Sequence, residues 1–308
     1  MALAAALQSS ETARRLWHVL PYRVRGEVWR KTLKVPRRPV TFNQKIRYKM
    51  LKDRRALLTT FADRVAVRDY VAQKVGPEVL TELYLVTDDP ERIRVDSVPR
   101  EFVVKASHGC GGCVIVADHA PSQNTLPKPP AGWSHSLVTP GSLDWTLLRG
   151  LCGEWLGLSY NPHLEWAYIN VPPRIVAEEL LVANGSIPMD YKFFVFNGRV
   201  RIVQVDFDRF GNHARTLYSP EWERLPFKFS YAATGPDVER PGALRDMISI
   251  AETLGQETDF VRVDLYALGD RIVFGEMTNY PCAGKGLFEP ASFDYELGSW
   301  WSVPGKYR

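Results

Sequence analysis

Two long β-hairpins in the C-terminal half of the chain constrain its fold more than any other feature. The segment DYKFFVFNGRVRIVQVDFDRF carries a two-strand pattern around Asn197-Gly198, and FVRVDLYALGDRIVFGEMTN carries another around Gly269-Asp270. Asn-Gly between β-rich runs is a strong hairpin signal because both residues tolerate the positive φ of a tight turn. Between the hairpins, ALRDMISIAETLG indicates a helix that ends at Gly255. Helices combined with tight hairpins predict an α+β fold and argue against a parallel, doubly wound sheet.

A third pair of β-rich runs, at residues 102–104 and 114–116, flanks the glycine-rich segment HGCGG. We expect these runs to form a hairpin-like pair, with Lys105 at the end of the first strand. Further strands are predicted in LTELYLVT and RIVAEELLV, and a helix is predicted in DWTLLRGLCGEWLG. Residues 119–143 are rich in Pro, Ser and Gly, which predicts a long loop.

The first sixty residues have a mainly helical pattern and are strongly basic. Their basic side chains are Arg14, Arg15, Arg23, Arg25, Arg30, Lys31, Lys34, Arg37, Arg38, Lys45, Arg47, Lys49, Lys52, Arg54 and Arg55. Next, FADRVAVRDYVAQKVG predicts a helix that Gly76 and Pro77 stop. A basic block of this kind is typical of contact with nucleic acid, an anionic membrane surface or an acidic substrate, and equally of a solvated helical face. No zinc-finger, RNA-recognition or helix-turn-helix signature accompanies it, so no nucleic-acid partner is expected.

The chain has 308 residues, 45% of them hydrophobic, which is enough to bury a sizeable core. No segment contains the roughly twenty consecutive apolar residues needed to span a bilayer. In the N-terminal sequence MALAAALQSSETARR the positive charges follow the apolar run, whereas a secretory signal has the reverse order. We therefore expect a cytoplasmic protein whose basic N-terminus can make peripheral contact with a membrane surface.

Two of the four cysteines, Cys110 and Cys113, form a C-x-x-C motif inside the glycine-rich segment. A zinc site would need a second such pair or histidines at ligand spacing, and the sequence has neither. The motif therefore favours small loop residues over a metal-binding or redox pair.

Asp264 and Glu276 lie on the two strands of the second predicted hairpin, twelve residues apart. Folding at Gly269-Asp270 brings them close together, and two carboxylates side by side in a partly buried sheet repel each other. A hard cation between them would relieve the repulsion, and Mg²⁺ completes its shell with phosphate and water oxygens. The alternative is a salt-bridged pair of sheet carboxylates, with Arg262 as the partner.

The segment HGCGG leaves backbone N–H groups free and lacks Cβ atoms at three positions, so a phosphate chain could approach it closely. It matches neither a Walker A loop nor a Rossmann fingerprint, and an ordinary hairpin tip is the alternative. Lys105, before this loop, and Lys192, in the apolar run DYKFFVF, could neutralise phosphate charge or could be exposed strand residues.

In this order and spacing, these pieces resemble an ATP-grasp enzyme. More narrowly, the chain resembles the TupA-like ATP-grasp family, named for teichuronopeptide synthesis. The resemblance runs from about residue 40 to the C-terminus and is carried by TFNQKI, FADRVAVRDYV, FVVKASHGCGG, DYKFFVFNGRVRIVQVDFDRF, FVRVDLY and FGEMTNYP. It implies two α+β lobes that clasp ATP. We expect the small lobe, with the glycine-rich lid, at 101–182 and the large lobe, with the metal site, at 183–308. They follow a basic, mainly helical N-terminal region, or first lobe, at 1–100.

The resemblance also implies residue roles. Nucleotide-binding roles fall on Arg68, Lys105, His108, Gly109, Gly111, Gly112, Glu178, Glu179, Leu181, Asp190 and Lys192, and metal-binding roles on Asp264, Glu276 and Asn279. Glu178 matches the acid that accepts from the adenine amino group, and Lys105 matches the lysine that reaches the phosphates. Lys192 and Arg262 are the implied catalytic cations. Arg262 resembles the arginine that steadies the acylphosphate and the tetrahedral intermediate in D-alanine ligase.

One departure concerns the third metal ligand, because many ATP-grasp ligases have Glu-x-Asn and here Met277-Thr278-Asn279 follows Glu276. Either Thr278 stands in the ligand position or Asn279 reaches back. The resemblance implies an ATP- and Mg²⁺-dependent carboxylate–amine ligase that works on a glycan or cell-surface polymer, for example by joining an amino acid to a uronic acid. The alternative is a kinase that phosphorylates a hydroxyl from the same ATP site. An anionic glycan substrate would suit the basic N-terminal block.

Overall fold

The computed structural model describes residues 35–160, 165–183, 185–207, 213–230 and 233–307. The basic block from Arg14 to Lys34, with its predicted helical character, lies outside these residues. Within them, six α-helices accompany a five-stranded sheet, a six-stranded sheet and a two-stranded pair, which agrees with the predicted α+β class. The helices are α1 (Phe42–Lys52), α2 (Ala56–Ala62), α3 (Ala66–Val75), α4 (Trp145–Gly157), α5 (Leu244–Gly255) and α6 (Ser292–Ser299).

The five-stranded sheet has the strand order β1-β5-β2-β3-β4. Its strands are β1 (Leu83–Thr87), β2 (Phe102–Ala106), β3 (Cys113–Val116), β4 (His135–Val138) and β5 (Ile175–Glu178). The strands β2 and β3 form the expected antiparallel pair around the glycine-rich segment. Because β1 pairs with β5, this sheet extends across the predicted boundary at residue 100.

The prediction of a long loop at 119–143 is wrong in part, because residues 135–138 form β4. This strand pairs parallel to β3, and Val138 is fully buried in the core beneath α4. Four residues among Pro, Gly and Ser are too short a run to show a strand pattern, and only the pairing with β3 defines them as a strand.

The six-stranded sheet has the order β10-β8-β7-β6-β11-β12. Its strands are β6 (Asp190–Phe196), β7 (Arg199–Phe207), β8 (Ala214–Tyr218), β10 (Ala233–Thr234), β11 (Phe260–Leu268) and β12 (Arg271–Thr278), while β9 (Lys228–Phe229) pairs with β13 (Phe288–Glu289). Both predicted hairpins are present, and Asn197 and Gly198 have φ values of 48° and 76°, as a tight turn requires.

Alternate residues of β6 face opposite sides of this sheet. Phe193 and Val195 lie in a core with α3 and α5, whereas Phe194 and Phe196 lie in a second core with α1 and α6. Continuing the second face toward the start of β6, the next side chain is Lys192, which is buried and charged. This face therefore changes from apolar to charged along its length, and the charged part forms the site described below.

The chain turns sharply between α2 and α3, so the helix predicted from Phe61 onward is interrupted at Asp63. The Asp63 carboxylate accepts a hydrogen bond from the backbone N–H of Val65 at 2.9 Å and from Nη2 of Arg174 at 2.6 Å. These bonds satisfy the backbone where the helix breaks, and Gly76 ends α3 as predicted. Among the described helices, none is long and apolar enough to cross a membrane.

Candidate functional site

A row of charged side chains crosses three neighbouring strands of the six-stranded sheet. In the strand register Lys192 of β6 lies opposite Asp264 of β11, and Asp264 lies opposite Glu276 of β12. Counting back from the Gly269-Asp270 turn without interruption would place Gly275 opposite Asp264. A β-bulge between Asp264 and Leu265 shifts the register by one residue. The bulge is what places both carboxylates on the same face of the sheet.

Asp264 is the centre of this row and is only 2% exposed. Its carboxylate accepts from Nε and Nη2 of Arg262 at 2.6 and 2.7 Å, and from Nζ of Lys192 at 2.6 Å. Lys192 also pairs with Asp190. Burial and the neighbouring carboxylates raise the pKa of Asp264 above its ordinary value, although Arg262 and Lys192 oppose that shift.

Arg262 joins the two predicted metal ligands. Its Nη2 also donates to Oε1 of Glu276 at 2.9 Å. Burial alone would lower the pKa of Arg262, but Asp264 and then Glu276 raise it, so the guanidinium stays charged. The salt-bridged arrangement considered from the sequence is therefore present, with Arg262 spanning both carboxylates.

The same residues fit a magnesium ion. The two carboxylates come from residues that lie opposite each other on paired strands. In the described part of the chain, no group of three or more His, Cys, Asp or Glu side chains is placed to hold a metal ion, so protein carboxylates alone would not complete its shell. Mg²⁺ takes one or two carboxylates and completes its shell with water and phosphate oxygens, so this donor set suits a metal that is carried by a nucleotide.

For the third ligand, the structure places Thr278 and not Asn279 beside Glu276. Thr278 Oγ1 donates to Oε1 of Glu276 at 3.2 Å. Asn279 is buried, and its Nδ2 donates to the backbone oxygen of Leu58 at 2.8 Å. Residues two apart on a strand share a face, so Thr278 follows Glu276 toward the site and Asn279 does not.

A second charged cluster lies on the five-stranded sheet, around Glu178 at the end of β5. Its carboxylate accepts from Nζ of Lys105 at 2.6 Å and from Oγ1 of Thr81 at 2.8 Å, and it lies 3.9 Å from Nη1 of Arg68. Burial would raise the pKa of Glu178, but Lys105, Thr81 and Arg68 together lower it. Three of the residues that the sequence predicts for nucleotide binding are thus in contact.

Glu178 and Lys105 share their sheet face with apolar residues. Val104 and Ala177 pack beneath α4, so alternation places Val103, Lys105 and Glu178 on the opposite face. The next acid, Glu179, instead pairs with Arg271 of β12 at 2.6 Å, which ties the two sheets together. Leu181 lies two residues further along, past the end of β5, and is half-buried.

The glycine-rich loop packs against Trp133. A Cβ added at Gly109 or Gly111 would lie 2.8 Å from that side chain, and one at Gly112 would lie 3.1 Å from it. Gly111 also has φ of 100°, which favours glycine. Trp133 therefore occupies the space next to the three glycines. The backbone N–H groups of residues 108–112 donate no hydrogen bond within the described residues.

The side chain of His108, a residue of the loop that is predicted to cover the phosphates, points into the protein. It is buried, and its Nε2 lies 3.0 Å from the backbone oxygen of Trp155, to which it donates. Burial lowers the pKa of His108 below its ordinary value, so the ring is neutral near pH 7. Its side chain anchors the loop to the end of α4.

Sequence reasoning missed a continuation of the charged row onto β7 and β8. Asp206 lies opposite Asp190 in the register, and Arg215 donates to its carboxylate through Nε at 2.6 Å and Nη2 at 3.1 Å. Burial opposes ionisation, but these bonds lower the pKa of Asp206 to about 2. A bulge between Phe194 and Val195 sets this register, so counting from the Asn197-Gly198 turn would not have found it.

Sequence reasoning also missed Arg64, in the link between α2 and α3. Its Nη1 donates to the backbone oxygen of Ala106 at 2.7 Å and to that of Gly109, and its Nη2 lies 3.6 Å from Oε2 of Glu276. This side chain therefore connects the glycine-rich loop to the carboxylate row. Its position in DRVAVR carries no motif signal.

Comparison with known proteins gives a family and a set of distantly similar solved structures. The D-alanine–D-alanine ligase of Bacillus anthracis has 13% identity and a TM-score of 0.39 over 72% of this chain and 59% of that one. The VanG D-Ala:D-Ser ligase of Enterococcus faecalis has 10% identity and a TM-score of 0.40, over 72% of this chain and 54% of that one. The ATP-grasp ligase PsnB with its minimal precursor has 10% identity and a TM-score of 0.37, over 73% of this chain and 53% of that one.

The chain thus spans a little over half the length of these solved structures. No curated protein matches it. The profile of the TupA-like ATPgrasp family matches residues 44–301, which is most of the chain. The chain therefore belongs to the TupA-like ATP-grasp family.

Proposed function

We propose that this protein is an ATP- and Mg²⁺-dependent carboxylate–amine ligase that acts through an acylphosphate. The observation that supports this most directly is the row Lys192–Asp264–Glu276, in which two carboxylates on paired strands are bracketed by Lys192 and Arg262. Such a set can hold a metal–phosphate group and supply cations where negative charge develops. Membership of an ATP-grasp family supports the same nucleotide chemistry.

ATP would lie between the two charged clusters. Glu178 would accept from the adenine amino group, with backbone contacts from Glu179 and Leu181 and the apolar face around Val103 beneath the ring. Lys105 and Arg68, which now contact Glu178, would reach toward the phosphates. Exchange of a carboxylate partner for a phosphate is feasible for both cations because each side chain is long and flexible.

The glycine-rich loop would cover the phosphates with the backbone N–H groups of His108, Gly109, Gly111 and Gly112, which donate no hydrogen bond to any described residue. Packing of these glycines on Trp133 fixes the backbone in advance, so little ordering is needed when the anion binds. Asp190, at the start of β6, would lie near the ribose.

At the other end of the nucleotide, Asp264, Glu276 and the Thr278 hydroxyl would hold Mg²⁺, which neutralises phosphate charge when bound. A carboxylate oxygen of the substrate would attack the γ-phosphorus, and the bond to the β-phosphate oxygen would break with its electrons leaving on ADP. An amine would then attack the acyl carbon, phosphate would leave with the bonding electrons, and the amine would lose a proton. Arg262 and Lys192, which both donate to Asp264, would stabilise the oxyanions that form in the two steps.

The proposed substrates are a uronic acid or another carboxylate of an anionic glycan, and an amino acid as the amine. The surplus of basic residues in the sequence before residue 40 suits an anionic polymer and equally a peripheral contact with an anionic membrane. Further along the block, Lys49, Arg54 and Arg55 instead make contacts within the fold. A kinase acting on a sugar hydroxyl would use the same cations and would differ in its product.

A phosphate-release screen tests the proposal. The protein is incubated with MgATP and pairs of carboxylates and amines, and the products are analysed by mass spectrometry. We expect phosphate and ADP release that requires both partners, with formation of an amide. A stable phosphorylated product formed without any amine would replace the ligase by the kinase, and no ATP turnover with any pair would contradict both.

A further inference from the structure

Arg64 is anchored on the glycine-rich loop by three hydrogen bonds. Its backbone N–H donates to the oxygen of Ser107 at 3.2 Å, and its Nη1 donates to the backbone oxygens of Ala106 and Gly109. The preceding residue, Asp63, is held by Arg174 at 2.6 Å. The guanidinium group therefore has a fixed position before any ligand arrives.

The other edge of this guanidinium group is available to a ligand. Within the described residues, Nε and Nη2 of Arg64 donate no hydrogen bond, and the 3.6 Å from Nη2 to Oε2 of Glu276 is an ion pair without hydrogen-bond geometry. The side chain is 22% exposed. Burial alone would lower the pKa of Arg64, but Glu276 raises it, so the guanidinium group carries its charge at every pH of interest.

We infer that Arg64 receives the carboxylate of the acceptor substrate on its Nε–Nη2 edge, next to Glu276. This inference rests on the proposed ligase function and adds the residue that selects the acceptor. Two parallel N–H groups match a carboxylate in a bidentate manner, and a group that is already anchored loses little side-chain freedom on binding. A neutral hydroxyl brings no negative charge and cannot engage both N–H groups in this bidentate way, so Arg64 favours a carboxylate acceptor over an alcohol.

The position also suits the reaction. Glu276 is a proposed metal ligand and Ala106 to Gly109 begin the loop that would cover the phosphates. A carboxylate on Arg64 therefore lies between the metal-bound phosphate and the loop. Binding there orients one oxygen toward the γ-phosphorus and partly neutralises the other.

The test uses phosphonoacetate, a stable compound that carries a carboxylate and a phosphonate, with the full-length protein saturated by MgADP. Its affinity is measured by calorimetry for the parent, Arg64→Met, Arg64→Lys and the control Arg100→Met. Arg100 is an exposed arginine of the five-stranded sheet region that pairs with Asp118. A variant that no longer folds is recognised by its loss of MgADP binding, and Arg64→Lys then decides the outcome because it keeps the charge.

We expect Arg64→Met to weaken phosphonoacetate binding between about tenfold and hundredfold, the range for hydrogen bonds to a charged group. Arg64→Lys should lose less, and both variants should bind MgADP as the parent does. Equal phosphonoacetate affinity in Arg64→Met and Arg100→Met, or no binding to the parent's MgADP complex, would overturn the inference. Failure of the parent to bind MgADP would instead contradict the proposed function.

Discussion

Replacing Glu276 by Gln separates the metal site from the stability of the fold. The Glu276 side chain is 38% exposed, and its contacts include Arg262 at 2.9 Å, Thr278 at 3.2 Å and Arg64 at 3.6 Å. Ion pairs at such exposure contribute about 0–1 kcal/mol, so Glu276→Gln should change the free energy of unfolding by no more than that. Loss of a metal ligand removes several kcal/mol of transition-state stabilisation, so ATP turnover should fall by about 100-fold or more.

Asp264→Asn should have a different effect from Glu276→Gln, because Asp264 is buried and Glu276 is partly exposed. Asp264 is 2% exposed and holds both Arg262 and Lys192, so its neutralisation leaves buried cations without their counter-charge. Breaking a buried pair costs about 3–5 kcal/mol. We therefore expect Asp264→Asn to lose activity and stability together, whereas Glu276→Gln loses activity alone.

The assay combines phosphate release over a range of Mg²⁺ concentrations with urea unfolding. Glu289→Gln is the matched control, because Glu289 is an exposed carboxylate that pairs with Lys228 on a separate two-stranded pair. If Glu276→Gln turned over ATP at the parent's rate at every Mg²⁺ concentration, the assignment of Glu276 to the metal would be refuted. If Asp264→Asn were as stable as the parent, the role given to its buried ion pairs would be wrong.

Three further predictions concern the loop, the nucleotide and pH. Lys105→Ala should weaken ATP binding by about tenfold to hundredfold, since it removes a cation proposed for the phosphates, and unchanged affinity in calorimetry would count against that role. Gly111→Ala forces a Cβ to within 2.9 Å of the Trp133 backbone oxygen at a φ of 100°, so it should destabilise the protein by at least about 1 kcal/mol and weaken ATP binding, while Gly141→Ala, with no atom within 4 Å, should do neither. The pKa of Asp206 is lowered from 3.8 to about 2 in the folded protein, so its contribution to stability, about 2 kcal/mol, is present above pH 4 and is lost as the pH falls toward 2. Urea unfolding at pH 7 and pH 3 should show a smaller loss on acidification for Asp206→Asn than for the parent, and an equal loss would contradict the assignment.

Local sequence signals were sufficient for the two C-terminal hairpins. Asn197-Gly198 and Gly269-Asp270 specify their turns through backbone conformation, and the flanking β-rich runs specify the strands without knowledge of the rest of the chain. The proximity of Asp264 to Glu276 followed from the second hairpin. Their presence on one face did not follow, because it depends on a bulge that turn chemistry does not specify.

Features that depend on distant contacts could not be predicted. The break at Asp63 is stabilised by Arg174, more than one hundred positions later, and β4 is defined only by its pairing with β3. Arg64 acquires its neighbours from the end of β2 and from β12, so no pattern within its own segment marks it. For the glycines of the loop, the sequence indicates either phosphate access or an ordinary hairpin tip, whereas their packing against Trp133 appears only in the folded chain.

The most direct test of the account is a calorimetric titration of the full-length protein with a non-hydrolysable ATP analogue, with and without Mg²⁺. We expect one binding site per chain, an affinity that increases with Mg²⁺, and loss of that increase in Glu276→Gln. Absence of binding up to millimolar nucleotide, or binding that is the same with and without Mg²⁺, would contradict the claim that Asp264 and Glu276 form a magnesium–nucleotide site.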